Sequence, residues 1–322
     1  MKSFIKIFIS FVLMAQATCA LAAYPDKPIK LVVPYAVGGT TDIIARVVGV
    51  KLGSILGQTV VIENKPGAGG SVGSAYAAKQ PADGYTLVMA VESSHAVNPN
   101  VYEKSPYNPV KDFAPISNLA DVPNVLVVNP ELPAKNMEQF TQLLKSNPGK
   151  FAFGSSGNGG LSHMNGELFM SVTGTKMLHV PYKGLGPALN DLVAGQLQVV
   201  FDNIPSSFAL IQGQRIRPLV VAAKERLTAL PDVPTYAEVG LPSLNNPSWF
   251  GLAAPANTPD AILDTLNRAV IQALKDPETI AAIEKQGALP SPMTRKDFGT
   301  LIQKSNEQWE KVVKDIGFTK LN

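Results

Sequence analysis

Apolar and polar residues follow one another along the chain in two kinds of block. Residues 29–34 (IKLVVP), 60–64 (VVIEN) and 85–90 (YTLVMA) are short, mostly continuous apolar runs, which are typical of buried strands. Between the first two runs, apolar residues from 43 to 56 recur at helical spacing, and Gly57 is a usual residue at a helix end. Strand, helix, strand, helix, strand predicts a parallel sheet with right-handed crossovers.

The same supersecondary unit recurs near the middle of the chain. Residues 151–181 predict a strand, a glycine-rich loop, a helix that ends at Gly174 and a second strand. Two further apolar runs, 197–202 and 217–223, add strands to this unit, and the pattern beyond Thr258 is mostly helical. The chain is therefore predicted to form two α/β lobes, each with a mostly parallel sheet flanked by helices.

Two proline-marked stretches, near 122–133 and 230–251, are the candidate connections between the lobes. Because there are two connections, one lobe must be discontinuous in the sequence. We predict a first lobe made of residues 23–123 and 235–322, and a second lobe made of residues 124–234.

Residues 1–22 have the features of a cleavable secretory signal peptide. Lys2 and Lys6 form a short basic region, and Ala20-Leu21-Ala22 is a small-x-small cleavage signature. The apolar run between them, residues 7–15, is too short to span a membrane. The sequence therefore predicts an exported protein.

The composition of the exported chain excludes several classes of function. Cys19 is the only cysteine and lies in the signal, so the mature chain has neither disulfides nor thiol chemistry. The residues before Cys19 do not favour a lipid anchor. Once Lys2 and Lys6 are removed, 26 basic residues face 25 acidic ones. A nearly neutral chain argues against nucleic acid or an anionic membrane as the partner.

Residues 69–73 (GGSVG) contain the only hint of catalysis. They fit the G-x-S-x-G pattern of serine hydrolases, but a serine nucleophile needs a base oriented by an acid, and none of the three histidines follows in the required context. A secreted hydrolase that uses Ser71 stays as a remote alternative. Val72 breaks the dinucleotide-binding fingerprint. Since no histidine pair or acidic cluster has metal-ligand spacing, we expect no metal, no cofactor and no catalysis.

Residues 32–48 (VVPYAVGGTTDIIARVV) have the form of a binding site without a reactive group. A strand runs into two glycines, and a helix follows. The first amides of such a helix have no internal partner, and the helix dipole makes them a site for a carboxylate. Thr40 or Thr41 can cap the helix. Residues 155–160 (SSGNGG) repeat the arrangement, so two helix ends are expected to converge across a cleft.

Seven motifs in order along the mature chain resemble the Bug family, the TctC-type solute-binding proteins associated with tripartite tricarboxylate transporters. They are YPDKPIKLVVPYAVGGTTD, VVIENKPGAGGSVG, ADGYTLVMA, HAVNP, YNPVKDFAPIS, VPYKG and LPDVPTYAEVG. The resemblance covers essentially the whole mature chain. It implies a two-lobed α/β periplasmic binding protein of the Venus flytrap kind, type II-like, which encloses a small ligand between its lobes.

The resemblance also implies which residues line the cleft. In the first lobe the ligand-binding residues are Tyr35, Ala36, Gly38, Gly39, Thr40, Asp42, Glu92, Ser93 and Ser94. In the second lobe they are Ser155, Ser156, Asn158, Tyr182, Lys183, Gly184 and Asp202. The loop from Tyr35 to Asp42 grips a ligand carboxylate, and Asp202 matches the acid that meets an amino group in amino-acid binders.

Glu92 departs from this pattern, because a small residue is anticipated there. Two acids in one cleft would repel a dicarboxylate and favour a ligand with an ammonium or amide donor. We therefore expect a small carboxylate-bearing ligand, and an amino acid such as glutamate or aspartate in preference to a di- or tricarboxylate; these and a nicotinamide-like ligand are the alternatives. The expected partners of this monomer are the membrane subunits of a tripartite transporter or, alternatively, a sensor kinase.

Overall fold

The computed structural model describes residues 24–322, so the predicted signal peptide lies outside the described residues. The strands, in chain order, are β1 (Ile29–Val33), β2 (Val60–Asn64), β3 (Thr86–Val91), β4 (Phe113–Val122), β5 (Asn124–Val128), β6 (Ala152–Ser155), β7 (Leu178–Pro181), β8 (Val199–Asn203), β9 (Arg217–Ala222), β10 (Ser248–Pro255) and β11 (Leu289–Pro290).

The α-helices are α1 (Thr40–Leu56), α2 (Ser71–Ala78), α3 (Asn98–Val101), α4 (Met137–Ser146), α5 (Leu161–Thr173), α6 (Leu185–Val193), α7 (Ile204–Gln212), α8 (Asp260–Ala273), α9 (Pro277–Glu284) and α10 (Arg295–Asp315). Short 3-10 turns lie at Ala68–Gly70 and Pro242–Leu244, and a π-helical turn lies at Ser93–Val97. Among the helices of residues 24–322, none is both long and apolar enough to cross a membrane.

The first sheet has six strands in the order β11-β4-β10-β3-β1-β2. β1 pairs in parallel with β2 on one side and β3 on the other, as the sequence pattern predicts. β10 then pairs antiparallel with both β3 and β4. Apolar clusters cover both faces: one includes Ile44 and Leu266, and the other includes Phe298 and Trp309. A strand buried on both faces, such as β1, must be apolar without alternation.

The second sheet has five strands in the order β7-β6-β8-β5-β9. β6 is parallel to β7 and β8, whereas β5 is antiparallel to β8 and β9. Both sheets are therefore mixed, with the predicted parallel strands on one side and antiparallel strands on the other. Residues 124–128, which the sequence places in a connecting stretch, form a fully buried strand inside the sheet.

The chain crosses from the first sheet to the second at Pro123, between β4 and β5, and returns just before Ser248, where β10 begins. The sequence prediction assigns residues 235–247 to the first lobe. In the structure Thr235 forms a β-bridge with Val221 of β9, and Tyr236 and Leu244 lie in the apolar core of the second sheet. The two crossings therefore lie side by side, next to the cleft between the sheets.

Candidate ligand site in the cleft

A cavity lies between the two lobes, at the point where strands of both sheets end and helices begin. Its lining residues come from both lobes: Tyr35, Gly39, Thr40, Thr41, Val91, Glu92, Ser93, Asn124, Ser156, Leu161, Ser162, Asn165, Leu185, Phe201, Asp202, Asn203, Ser248 and Phe250. Six aromatic or aliphatic side chains among them form apolar walls, and hydroxyl, amide and carboxyl groups supply the polar contacts. This composition is typical of small-molecule sites.

Four helices begin at this cavity: α1 after Gly39, α5 after Gly160, α6 after Gly184 and α7 after Asn203. In none of the four does the side chain of the cap residue bond a first-turn amide, although Ser93 Oγ accepts from the first amide of α5 and the Pro123 carbonyl accepts from the first amide of α7. The expectation that Thr40 or Thr41 caps α1 is therefore wrong, because Gly39 occupies the cap position. Uncapped first-turn amides and the positive ends of helix dipoles favour an anion at this place.

Seven of the sixteen predicted ligand residues line the cavity. They are Tyr35, Gly39, Thr40, Glu92, Ser93, Ser156 and Asp202. The other nine lie outside its lining, and their own contacts account for their positions. They are Ala36, Gly38, Asp42, Ser94, Ser155, Asn158, Tyr182, Lys183 and Gly184.

Asp42 lies in the first turn of α1 and is 2% exposed. Its carboxylate accepts hydrogen bonds from the Gly38 amide at 3.1 Å, from Asn64 Nδ2 at 3.0 Å and from Arg46 Nε at 3.0 Å. Burial alone would raise the pKa of Asp42, but these bonds outweigh it and hold the pKa below its ordinary value. The geometry makes Asp42 the residue that orders the glycine loop before α1.

Several predicted second-lobe residues are bonded within their own lobe. Ser155 Oγ lies 2.6 Å from His179 Nε2, and the Tyr182 hydroxyl donates to Asp191 at 2.6 Å. Asn158 is exposed. In the first lobe, Ser94 Oγ bonds to His95 Nδ1 at 2.9 Å. Their hydroxyl groups are thus engaged away from the cavity.

The remaining predicted residues lie at contacts between the lobes. The Ala36 amide donates to the Lys183 carbonyl at 3.2 Å, and a Cβ on Gly184 would meet the Ala36 nitrogen at 2.9 Å. On the other side of the cavity, the Leu161 amide donates to Ser93 Oγ at 2.9 Å. Such close backbone approaches mean that the two lobes are closed on each other in this structure.

Asp202, at the end of β8, is 2% exposed and faces the cavity. Ser206 Oγ donates to its carboxyl oxygens at 2.7 and 2.8 Å, and Ser207 Oγ donates as well. Burial raises the pKa of Asp202 to about 6, against the opposing effect of these donors. Ser206 Oγ also lies 2.9 Å from Thr40 Oγ1. Asp202 is therefore joined through one serine to the helix end of the opposite lobe.

Asn124, Asn203 and Ser248 line the cavity although sequence reasoning missed them. Asn203 Nδ2 donates to Asn124 Oδ1 at 2.6 Å, and Ser248 Oγ donates to the same oxygen at 2.8 Å. They lie at the strand ends where the chain crosses between lobes. The sequence could have indicated two of these residues. Asn203 directly follows the predicted site residue Asp202, and Asn124 follows a proline in a predicted connection between the lobes.

Ser71 lacks the surroundings of a nucleophile. Its hydroxyl is 4% exposed and donates to Asn98 Oδ1. His95, the histidine nearest in the sequence, uses Nδ1 for the Ser94 hydroxyl, and burial lowers its pKa to about 3. The G-x-S-x-G segment forms the tight turn into α2: a Cβ on Gly73 would lie 2.6 Å from the Lys65 carbonyl oxygen.

Known proteins share this architecture. The family model described as "Tripartite tricarboxylate transporter family receptor" (TctC) matches residues 44–318. The chain belongs to this family. The resemblance to Bug-type solute-binding proteins that the sequence motifs indicate is confirmed, as is the two-lobed α/β fold of periplasmic binding proteins.

Relatives of this TctC-family chain include two proteins whose structures contain a bound dicarboxylate. Protein BugT of Bordetella pertussis is 37% identical over 94% of this chain and 94% of its own. A protein of R. palustris solved with adipate is 36% identical, covers 92% of this chain and 100% of its own, and has a TM-score of 0.89. MatC from Rhodopseudomonas palustris with bound malate is 33% identical, covers 90% of this chain and 100% of its own, and has a TM-score of 0.87.

Proposed function

We propose that this protein is a periplasmic solute receptor that encloses a small carboxylate-bearing ligand between its two lobes and presents it to the membrane subunits of a tripartite transporter. The single observation that carries the proposal is the convergence of four helix N-termini on one cavity formed by both lobes. Membership of a family of transporter receptors supports the transport role. Export through residues 1–22 is part of the same proposal.

The ligand carboxylate is proposed to lie at the start of α1. Gly39, Thr40 and Thr41 line the cavity there, and the first-turn amides of a helix have no internal acceptor. Hydrogen bonds between amides and a charged carboxylate are the stronger kind, about twice a neutral bond. Gly39 lets a ligand approach the backbone closely because it has no side chain.

The second part of the ligand is proposed to carry an ammonium group, as in glutamate or aspartate. Glu92 and Asp202 both line the cavity. Among residues 24–322, no lysine, arginine or histidine belongs to the cavity lining. A buried carboxylate without a cation is costly, and a ligand ammonium would supply the missing charge. Asp202 is the proposed ammonium contact, because its pKa of about 6 leaves it mostly ionised at neutral pH.

A dicarboxylate is the second candidate ligand. The adipate-bound and malate-bound relatives favour it, since both share the fold over about nine-tenths of this chain. A dicarboxylate would bring negative charge to a cavity that already holds two acids. It therefore requires that one of these acids bind a proton, whereas an amino acid does not.

A thermal-shift and calorimetry panel tests the ligand class. The compounds are glutamate, aspartate, malate, adipate, citrate and nicotinamide, measured on the mature protein after native mass spectrometry has established what co-purifies. A ligand that binds only the folded state raises the melting temperature by mass action. We expect glutamate or aspartate to give the largest shift; a shift with malate or adipate alone would move the assignment to the second candidate.

Asp202→Ala tests the proposed ammonium contact. We expect amino-acid affinity to fall by more than about 100-fold, since a hydrogen-bonded buried charge pair is broken, which costs roughly 3–5 kcal/mol. Asp232→Ala is the matched control, an exposed aspartate of the second lobe. Unchanged amino-acid affinity in Asp202→Ala would show that the ammonium lies elsewhere.

The transport role has a separate alternative, a ligand-reporting partner of a sensor kinase. Both roles use the same closed, ligand-bound form, so affinity measurements do not separate them. Deletion of the gene separates them in cells: loss of ligand uptake supports the receptor role, whereas intact uptake with a lost transcriptional response supports the sensor role. No catalytic role is proposed, because the Ser71 hydroxyl is bonded to Asn98 and not to a base.

A further inference from the structure

Glu92 lies where β3 ends and the π-helical turn Ser93–Val97 begins, with its side chain on the cavity. Irregular helical turns of this kind often occur at functional sites. Glu92 Oε1 accepts a hydrogen bond from Trp309 Nε1 at 2.8 Å. The carboxyl group of this cavity-lining residue is thus held by α10.

The groups around Glu92 give its negative charge no cationic partner. Charge repulsion from Asp121 on β4 raises the pKa of Glu92. Asp202 of the other lobe lines the same cavity. His95 on the same turn is buried, with a pKa lowered to about 3, and so is neutral. The ion pairs found within residues 24–322 do not include Glu92.

Glu92 and Asp202 differ in how well their carboxylates are stabilised. Asp202 receives hydroxyl hydrogen bonds from Ser206 and Ser207, and its pKa is raised to about 6. Burial raises the pKa of Glu92 to about 7, although Trp309 and Trp249 oppose the rise. With one hydrogen-bond donor on its carboxyl group and a pKa of about 7, Glu92 can bind a proton near neutrality.

We propose that the proton on Glu92 selects the charge of the ligand: with the proton, the cavity accepts a dicarboxylate dianion, and without it, the cavity favours a ligand that carries an ammonium group. This inference rests on the proposed function, because it concerns the same cavity. It reconciles an acid-lined cavity with relatives that are solved with adipate and malate. One site would then exchange its preferred ligand class as the pH of the surroundings changes.

The proton on Glu92 can be followed without any ligand. The Trp309 indole N–H donates to Glu92, so its NMR signal should shift with pH and show a midpoint near 7. The protein has two tryptophans, and Trp249→Phe assigns the signals. We expect the midpoint to disappear in Glu92→Gln. It should persist in Glu307→Gln, which changes an exposed acid on α10, the helix that carries Trp309. A wild-type signal without a midpoint between about pH 6 and 8.5 would overturn the proposal.

Calorimetry with malate and glutamate then tests the selection. Between about pH 6.5 and 8.5 the carboxyls of both compounds are ionised, so titration of the protein dominates. Malate affinity should fall as the pH rises, approaching about tenfold per pH unit above the pKa of Glu92, because the dianion binds with the protonated acid. Glutamate affinity should rise toward a plateau, because ionised Glu92 adds negative charge to the cavity in which Asp202 binds the ligand ammonium.

Glu92→Gln should remove both slopes, whereas Glu307→Gln should keep them. Parallel pH profiles for malate and glutamate, or slopes that survive in Glu92→Gln, would overturn this inference while the proposed function stands. Absence of binding by both compounds at every pH would overturn the proposed ligand class and this inference together. The two failures are thereby distinguished.

Discussion

Gly186 lies so close to Val37 that a Cβ atom on Gly186 would stand 2.7 Å from the Val37 carbonyl oxygen. Gly186 is in the first turn of α6 in the second lobe, and Val37 belongs to the loop after β1 in the first lobe. Real Cβ atoms essentially never come within 3.0 Å of such a neighbour. The lobes can make this contact only because residue 186 has no side chain.

Gly186→Ala should weaken ligand binding about tenfold, because overpacking at a tight contact costs roughly 1–3 kcal/mol and here affects only the closed form. The free energy of unfolding of the unliganded protein should not fall by a comparable amount, because alanine favours a helix more than glycine does. Calorimetry measures the affinity, and urea denaturation measures the stability.

Gly49→Ala is the matched control for this substitution. Gly49 is also a helix glycine, in α1, and a Cβ there would meet Ile62 Cδ1 at 3.4 Å within the same lobe. Its effect on affinity should be small. Equal affinities for the wild type and Gly186→Ala would contradict ligand-linked closure through the Gly186–Val37 contact.

Ser93→Ala should weaken ligand binding by about fivefold. The substitution removes the acceptor of the Leu161 amide, which is the first amide of α5 in the opposite lobe, and a lost hydrogen bond costs about 1 kcal/mol. Ser171→Ala on the exposed side of α5 is the control. If calorimetry gives wild-type ligand affinity for both variants, the Ser93–Leu161 hydrogen bond does not contribute to closure of the lobes.

Asp42→Ala should reduce stability by roughly 2 kcal/mol at neutral pH, because it removes the acceptor of three hydrogen bonds, one of them from the Arg46 guanidinium. The pKa of Asp42 is lowered in the folded state, so its contribution is complete above the ordinary value of 3.8 and is lost as the pH falls through the folded value. Urea denaturation of both proteins at neutral and acid pH should therefore show a difference that shrinks in acid.

The same Asp42 variant separates a structural role from a ligand contact. If Asp42 only orders the loop before α1, the remaining folded protein should bind ligand with an affinity close to that of the wild type. A loss of affinity at full folding, measured by calorimetry on protein checked by circular dichroism, would place Asp42 at the ligand instead.

Ser71→Ala should leave ligand affinity within about twofold of the wild type and cost about 1 kcal/mol of stability, since the serine hydroxyl donates only to Asn98. Ester hydrolysis assays on both proteins test the remote hydrolase alternative. Turnover by the wild type that vanishes in Ser71→Ala would refute the assignment of Ser71 to a turn.

Much of the local structure could be predicted from the sequence. Residues 60–64 form β2 as predicted, and Gly57 and Gly174 end α1 and α5 in the left-handed conformation. These features depend on neighbours in the sequence, namely continuous apolar runs, helical spacing and glycine at a helix end. The recurrence of the strand, glycine loop and helix indicated two α/β lobes, and the ordered family motifs added the expectation that a ligand is enclosed between them.

β10 illustrates what the pattern could not give. It lies between β3 and β4 in the first sheet, antiparallel to both, although more than a hundred residues of the other lobe separate it from them in the chain. Strand order in a sheet depends on which long-range pairings bury the most surface, and the sequence of one strand does not encode its neighbours. For the same reason the sequence pattern did not predict β5, whose residues it assigned to a connection between the lobes.

The sequence by itself indicated the kind of site: glycine loops that lead into helices, and two acids, Glu92 and Asp202, near strand ends. Only the tertiary structure decided which side chains reach the cavity. It turned Asp42 and Ser155 to partners of their own lobes, and it brought Trp309 to Glu92 across 217 residues of chain. Backbone conformation is largely local, whereas the charge a cavity accepts depends on groups that only the packing of distant segments brings together.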